Sequence, residues 1–159
     1  MKLVIFSDDH GRIDSLTQVI NMHKDAYAFI HLGDSQGMID RLRQLYPNHF
    51  FVAVRGNCDR DFTLPTEEVL LYGGKKIFCC HGHLHGVKGG LEHLKLLAKK
   101  EGYDIVLFGH SHKRTEHYKD GIYYFNPGSC GEPRDGKGKS FGIVEIRDNG
   151  ILLSHGNIK

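Results

Sequence analysis

The sequence lacks an excess of charge of either sign. Its 159 residues include 21 basic and 19 acidic side chains, which gives a formal net charge of +2. Binding to long nucleic acids or to membrane surfaces usually depends on a block of one sign, and none is present. The sequence therefore indicates no large partner and gives no evidence for nucleic acid, and it leaves open whether the chain forms a homo-oligomer.

Long apolar runs are also absent. The first run, Leu3 to Phe6, is followed by Asp8 and Asp9 and is too short for a signal-peptide core or a membrane span. We therefore expect no membrane association and a cytoplasmic location. The length and the near-average share of hydrophobic residues, 40%, predict a single domain over residues 1–159.

Cysteine is scarce, and histidine is abundant. The four cysteines form no C-x-x-C pair, so we expect reduced thiols rather than a disulfide framework or a cysteine-bound structural zinc. The adjacent Cys79 and Cys80 lie in a predicted strand, where neighbouring side chains point to opposite faces. Several of the twelve histidines form clusters, at positions 81 to 85 and 110 to 112.

The first third of the chain has the rhythm of a βαβαβ unit. Apolar strand-like runs at 2–7, 28–32 and 50–54 alternate with segments of helical spacing near 13–20 and 38–45.

The pattern then changes. A hairpin is predicted from 69–72 to 76–81 because Gly73-Gly74 separates the two runs, and a helix from about Leu91 ends near Gly102. Further strands are predicted at 105–108, 122–125, 141–146 and 151–154. This order predicts an α/β fold with two layered sheets and flanking helices.

Residue types that bind metals follow five of the predicted strands, each where the strand ends. They are Asp8, His10, Asp34, Asn57, His81, His110 and His112. Singly, each is an ordinary helix cap or turn residue. Together they are expected to converge, because sites in open α/β sheets form beyond the carboxyl ends of the strands.

The chemistry of this set points to metal-assisted phosphoryl transfer. Imidazole, carboxylate and amide donors without thiolates suit Mn²⁺, Zn²⁺, Ni²⁺, Fe²⁺ or Co²⁺. Seven ligands fit two ions if one carboxylate bridges them, and such a pair can clamp a phosphate and generate a hydroxide near neutral pH. The substrate expected from this chemistry is a small phosphoester.

The ordered motifs D-x-H, G-D, G-N-x-D, H and G-H-x-H resemble the calcineurin-like metallophosphoesterase superfamily over nearly the whole chain. Gly56-Asn57-Cys58-Asp59, His81-Gly82-His83-Leu84 and Asn126-Pro127-Gly128-Ser129 resemble its small prokaryotic YfcE-type phosphodiesterases. The resemblance implies a four-layer αββα sandwich of two mixed β-sheets.

The resemblance also implies how the ligands are shared between two divalent ions, for which we expect Mn²⁺. One ion would be bound by Asp8, His10 and His112, the other by Asn57, His81 and His110, and Asp34 would bridge them. The catalytic residues that we expect are Asp34 and Asn57 from this set, together with His83, whose loop beside His81 could place it near the phosphate.

Cys58 stands where many superfamily phosphatases have a histidine that protonates the leaving group. We predict that Cys58 is a packing residue, which leaves His83, and less favourably His85, as candidates for a general acid. Loss of the usual acid favours esters with good leaving groups, so a phosphodiesterase is preferred. The alternatives are a phosphomonoesterase and a non-catalytic protein-binding scaffold on the same fold.

Three further features have alternative interpretations. Asp9 is either a charge that strengthens metal retention and weakens anion binding, or a solvated carboxylate. Asn126 to Ser129 either contributes to the rim of the site or forms a turn, and we favour the turn for Asn126 to Gly128. Arg134 either pairs with phosphate oxygens at the rim of the site or has no role there.

Overall fold

The structure is a computed structural model that describes all 159 residues. The first third forms β1 (Lys2–Phe6), α1 (Ile13–Met22), β2 (Ala28–His31), α2 (Met38–Leu45) and β3 (Phe51–Ala53). The three strands pair in parallel, β1 with β2 and β2 with β3. The predicted βαβαβ unit is confirmed.

The rest of the chain adds seven strands and one helix. They are β4 (Glu67–Tyr72), β5 (Lys75–Cys80), α3 (Glu92–Glu101), β6 (Ile105–Leu107), β7 (Arg114–Lys119), β8 (Ile122–Pro127), β9 (Ser140–Arg147) and β10 (Gly150–Asn157). The β4–β5 hairpin turns at Gly73 and Gly74, which both have positive φ, at 57° and 72°. Such values are favoured by glycine and match the twist of the flanking strands.

The strands form two five-stranded sheets, ordered β10-β9-β1-β2-β3 and β4-β5-β6-β8-β7. Both sheets are mixed. β1, β2 and β3 are parallel and β9 and β10 run against their neighbours, while β5, β6 and β8 are parallel and β4 and β7 are antiparallel edges.

Alternating side chains on the buried strands build three apolar layers. Leu3 and Ile5 of β1 enter a cluster that also holds Ile77 of β5, whereas Val4 and Phe6 pack with helices α1 and α2. On the second sheet, Phe78 packs in a third cluster with α3. Because adjacent strand residues face opposite sides, one strand supplies both layers. The result is helices, sheet, sheet, helix, and the predicted αββα sandwich is confirmed.

Two details differ from the sequence expectations. The edge strand β7 was not predicted, because its sequence, RTEHYK, is polar and none of its residues is buried. Leu96, whose apolar side chain would suit the buried face of α3, is instead 72% exposed.

Cys79 faces the layer between the sheets and Cys80 the layer under α3, as the strand pattern predicted. No helix is both long and apolar enough to cross a bilayer.

Candidate metal centre

The seven predicted ligands all lie just beyond the carboxyl ends of parallel strands, where the two sheets meet. Backbone hydrogen bonds hold the connecting loops together. The amide of Asp8 donates to Gly33 O at 3.0 Å, and the amide of His10 donates to Asp34 O at 3.0 Å. Across the seam between the sheets, His81 Nδ1 lies 2.7 Å from Leu32 O. The loops of both sheets therefore share one crevice.

Asp8 is fully buried, and its two carboxylate oxygens have different surroundings. Oδ2 accepts hydrogen bonds from Ser7 Oγ at 2.6 Å and from the backbone amide of His110 at 3.0 Å. Oδ1 has no hydrogen-bond partner and lies 3.2 Å from His112 Nε2 and 3.7 Å from His81 Nε2. Burial opposes ionisation of Asp8, but the two histidines outweigh it and lower its pKa.

Asp34 occupies a central position between histidines that come from different sheets. Oδ1 accepts a hydrogen bond from the Cys58 amide at 2.8 Å. Oδ2 lies 3.2 Å from His81 Nε2 and 3.9 Å from His10 Nε2. Burial alone would raise the pKa of Asp34, yet the interaction with His81 dominates and lowers it strongly. The side chain is therefore a carboxylate that faces both histidines.

The remaining ligands complete the cluster. His10 Nε2 lies 3.4 Å from His112 Nε2, and His110 Nδ1 lies 3.2 Å from His81 Nε2. Asn57 Oδ1 is 3.0 Å from His81 Nε2. Burial and the charge of His81 lower the pKa of His110 to about 4, so its imidazole is neutral and can accept a metal ion.

Two histidines are oriented by backbone carbonyls. His81 Nδ1 donates to Leu32 O at 2.7 Å and His112 Nδ1 donates to Glu132 O at 2.6 Å. A nitrogen that donates a hydrogen bond to a carbonyl carries the ring hydrogen. In each neutral ring, Nε2 therefore keeps a lone pair that can bind a metal ion. Both Nε2 atoms face the carboxylates, which is the arrangement found in metal-binding histidines.

The backbone of the ligand loops is unusual. Five of the seven non-glycine residues with positive φ are predicted ligands: Asp8, His10, Asp34, His110 and His112. Residues other than glycine rarely adopt this left-handed backbone conformation, and those that do concentrate at functional sites.

Gly33 lies where a side chain would not fit. Its φ is 104°, and a Cβ atom there would lie 2.7 Å from His81 Nδ1. The residue before the central aspartate must therefore be glycine.

Sequence reasoning missed the residue that braces the Asp34 loop. Asp59 is buried and accepts backbone hydrogen bonds at 2.8 Å from Asp34, Gln36 and Gly56. It ties the loop after β2 to the loop after β3 and so sets the distance between Asp34 and Asn57. The only sequence signal was its place in the G-N-x-D motif.

The segment at 126–129 does more than turn the chain. Asn126 is the penultimate residue of β8, and its side-chain amide donates to Gly109 O and to Ser111 Oγ, each at 3.0 Å. Ser129 Oγ donates to Asp8 O at 2.8 Å. The interpretation of this segment as a plain turn is therefore incomplete, because these side chains hold the loops that carry Asp8 and His110.

Asp9 is a buried partner of His31 and not a solvated side chain. It is fully buried, and its Oδ1 lies 2.7 Å from His31 Nε2, while Oδ2 accepts the Gly11 amide at 3.0 Å. The amide of Gly33 donates to His31 Nδ1 at 3.1 Å, so the hydrogen of the His31 ring is on Nε2 and is donated to Asp9. The carboxylate is buried, so the prediction of a solvated side chain was wrong. It bonds to His31 rather than to the metal cluster, and its effect on metal retention and anion binding stays a prediction.

His83 and His85 lie in different surroundings. The ring of His83 is half-buried, 5.4 Å from the ring of His81 and 6.1 Å from that of His110. Burial and the charge of His81 lower the pKa of His83. His85 is buried and bonds to Glu67 at 2.7 Å, away from the ligands. The structure brings His83 to the cluster and leaves His85 outside it.

Cys58 is exposed, so the prediction of a packing residue was wrong. Its thiol lies within 4.8 Å of donor atoms of His10 and Asp34. Partial desolvation of the thiol, followed by the negative charge of Asp34, raises the pKa of this thiol. The thiol of Cys58 is therefore protonated. The hydrogen bond from its backbone amide to Asp34 holds it at the edge of the cluster.

The donor set fits divalent metal ions. Asp8, His10 and His112 bring one donor atom each within 4.8 Å of one another, and so do Asp8, Asp34 and His81. Asp8 belongs to both groups, and its buried Oδ1 has no hydrogen-bond partner. A buried carboxylate oxygen of this kind is costly unless a cation compensates it. The first group matches the set that the resemblance assigned to one ion.

The calcineurin-like phosphoesterase superfamily domain matches residues 1–149. The chain belongs to this superfamily. It is 34% identical over 154 residues to a probable metallophosphoesterase, YsnB, of Bacillus subtilis, covering 96% of this chain and 89% of that protein. It is 31% identical to the phosphodiesterase YfcE of Escherichia coli K12, covering 96% of this chain and 90% of that protein.

A solved structure is also similar. The crystal structure of a predicted phosphoesterase from Streptococcus pneumoniae TIGR4 superposes with a TM-score of 0.86 and 27% identity, covering 99% of this chain and 92% of that one. The family and the fold expected from the motifs are thus both confirmed. Membership in this superfamily implies divalent metal ions and a phosphoester substrate.

Proposed function

We propose that the protein is a metal-dependent phosphodiesterase that hydrolyses small phosphodiesters, and that it uses two divalent ions, with Mn²⁺ as the metal. The observation that carries the proposal is Asp34, a buried carboxylate that faces His10 of one sheet and His81 of the other. The names of the two similar bacterial proteins support a phosphoesterase, and that of YfcE supports a diester.

Each protein group has a definable task. Asp8, His10 and His112 would hold one ion, and Asn57, His81 and His110 the other, with Asp34 between them. Such ions supply Lewis-acid polarisation of the phosphate and activation of water near neutral pH.

The half-buried His83 lies beside His81 and His110, in a position to hydrogen-bond a phosphate oxygen or the leaving group. A lowered pKa keeps this imidazole largely neutral at pH 7, so it serves better as a positioning group than as a strong acid.

The surroundings of the cluster favour a diester over a monoester. A pocket of about 400 Å³ adjoins Ser111, between the ligands His110 and His112, and a second of about 410 Å³ adjoins Gln36 and Cys58 beside His10 and Asp34. The two pockets share no lining residue. A diester has two ester arms, and each pocket can take one.

The test is hydrolysis of bis-p-nitrophenyl phosphate by purified protein. Dialysis against a chelator should abolish turnover, and added Mn²⁺ should restore it more fully than Zn²⁺, Ni²⁺, Fe²⁺ or Co²⁺. Metal analysis should give two ions per chain in the wild type. Asp34→Ala should lose both metal and turnover, and Asp148→Ala, at an exposed turn remote from the site, is the matched control.

Two results would redirect the proposal. Faster hydrolysis of p-nitrophenyl phosphate than of the diester would support a phosphomonoesterase. Absence of metal-dependent turnover across mono- and diesters would leave the protein-binding scaffold as the better account.

A further inference from the structure

The pocket beside Ser111 is cationic. Lys88, Lys113 and Arg134 line it, and none of its eight lining residues is acidic. Two of the others carry hydroxyl groups and three are apolar, including Phe108. At about 400 Å³ it lies in the size range of small-molecule sites.

The same loops build this pocket and the metal centre. Lys88 belongs to the loop that follows the ligand His81, and Ser111 directly precedes the ligand His112. The backbone amide of Arg134 donates to His112 O at 3.0 Å. A group bound in the pocket can therefore belong to the molecule whose phosphate is held at the cluster.

The charges in the pocket are not neutralised by the protein. Lys88, Lys113 and Arg134 make no ion pair, although nearby arginines do. Arg12 lies 3.6 Å from Glu132, and Arg114 lies 3.8 Å from an aspartate. The three unpaired cations leave a positive potential beside the metal centre that favours an anionic ligand.

The second pocket, beside Cys58, lacks this excess of positive charge. It is lined by one cation and one acid, Arg60 and Asp61, together with Gln36, Gly37 and Cys58. The two arms of a bound diester would therefore meet different electrostatic environments, and only the pocket beside Ser111 selects for negative charge.

We propose that Lys88, Lys113 and Arg134 bind a second phosphate carried by one arm of the substrate. The inference rests on the proposed function, since it requires a phosphodiester at the metal centre. It names the substrate class as nucleotide-sized phosphodiesters in which one of the two alcohols bears its own phosphate group. The apolar wall at Phe108 and Leu91 packs against the body of that arm.

The experiment compares two substrates that differ only in the second phosphate. They are thymidine 5′-(p-nitrophenyl phosphate) and the same compound with a 3′-phosphate, and both release p-nitrophenol. With the Mn²⁺-loaded wild type, kcat/KM should be about tenfold higher for the phosphorylated substrate, because three exposed cations each contribute a modest attraction. The ratio should fall as salt is added.

Variants test which residues are responsible. The triple variant K88A/K113A/R134A should reduce the ratio to about one, and each single variant should reduce it by about twofold. Lys119→Ala is the matched control, because Lys119 is an exposed cation at the far end of β7 from Lys113. It should leave the ratio at the wild-type value. Since only the ratio of the two kcat/KM values is compared, a general change in activity does not affect the conclusion.

Two outcomes overturn the inference. One is equal kcat/KM for the two substrates in the wild type, and the other is a preference that survives in the triple variant and in all three single variants. Bis-p-nitrophenyl phosphate separates this failure from failure of the proposed function. Turnover of that diester without a preference for the second phosphate rejects the inference alone, whereas absence of turnover rejects the proposed function.

Discussion

Asp9 and His31 form a buried pair beside the metal centre, and removal of either side chain should destabilise the fold. The two side chains are 0% and 2% exposed, and their contact atoms are 2.7 Å apart. Asp9→Ala leaves the His31 Nε2–H and the Gly11 amide without their acceptor. The contact also joins the ends of β1 and β2, so the loops that carry Asp8 and Asp34 depend on it.

The size of the effect follows from burial. Asp9→Ala leaves two donors unpaired at about 1–3 kcal/mol each and should cost about 3–5 kcal/mol in all, against a total stability of about 5–15 kcal/mol for a typical domain. For a chain of this length each kcal/mol lowers Tm by about 2–4 °C, so Asp9→Ala should melt about 6–20 °C below the wild type. The milder Asp9→Asn keeps an acceptor but places an amide donor against a donor, and should cost about 1–3 kcal/mol.

The assay is equilibrium urea unfolding with chelator present, so that metal binding does not add to stability. Asp9→Ala, His31→Ala and the double variant form a double-mutant cycle. The summed losses in unfolding free energy of the two single variants should exceed the loss in the double variant by at least about 1 kcal/mol. Asp148→Ala, at an exposed turn, should stay within about 0.5 kcal/mol of the wild type. Additive losses, or an Asp9→Ala protein as stable as that control, would refute the reasoning.

Three further perturbations test the site. Gly33→Ala should cost about 1–3 kcal/mol and weaken metal binding, because its Cβ would meet His81 Nδ1 at 2.7 Å; unchanged urea unfolding and metal content would contradict this. Asp59→Ala removes the acceptor of three backbone amides, two of them buried, and should cost about 3–5 kcal/mol in the same assay, with loss of metal as the Asp34 loop loosens; a full metal complement would argue against that role. In the metal-free protein the carboxylates raise the pKa of His81 and of His112 against the effect of burial, so protons compete with the metal below these raised values. Mn²⁺ affinity measured by calorimetry should therefore fall from pH 8 to pH 6, and a constant affinity would contradict the assignment.

The buried elements were predictable from the sequence because their patterns are local. Short apolar runs in the sequence correspond to strands that are buried on both faces, namely β1, β2, β5 and β6. The edge strand β7 escaped because its side chains face solvent and its pairing depends on β8, a contact that no local pattern records. Polar edge strands lack the apolar alternation on which such predictions depend.

The convergence of the predicted ligands was also predictable, but the groups that support them were not. A polar residue after a buried strand indicates the sheet edge where a site forms, which is how Asp34 and His81 were found. The pairing of Asp9 with His31 joins residues of two strands, and nothing in either segment indicates it. Cys58 was predicted as buried because free cysteines usually are, but the bond from its amide to Asp34 holds it at the surface.

The supporting groups explain how side chains spread over most of the chain can form one metal centre. The carbonyls of Leu32 and Glu132 orient the rings of His81 and His112, and Ser7 orients the Asp8 carboxylate. These constraints come from the folded protein itself, so the donor atoms are ordered when the protein folds rather than when a metal binds. Preorganisation of this kind lowers the entropy lost on binding, which strengthens affinity without any additional contact. It also explains why strained left-handed residues occur at five of the predicted ligands, since the backbone there is shaped to aim side chains at one point.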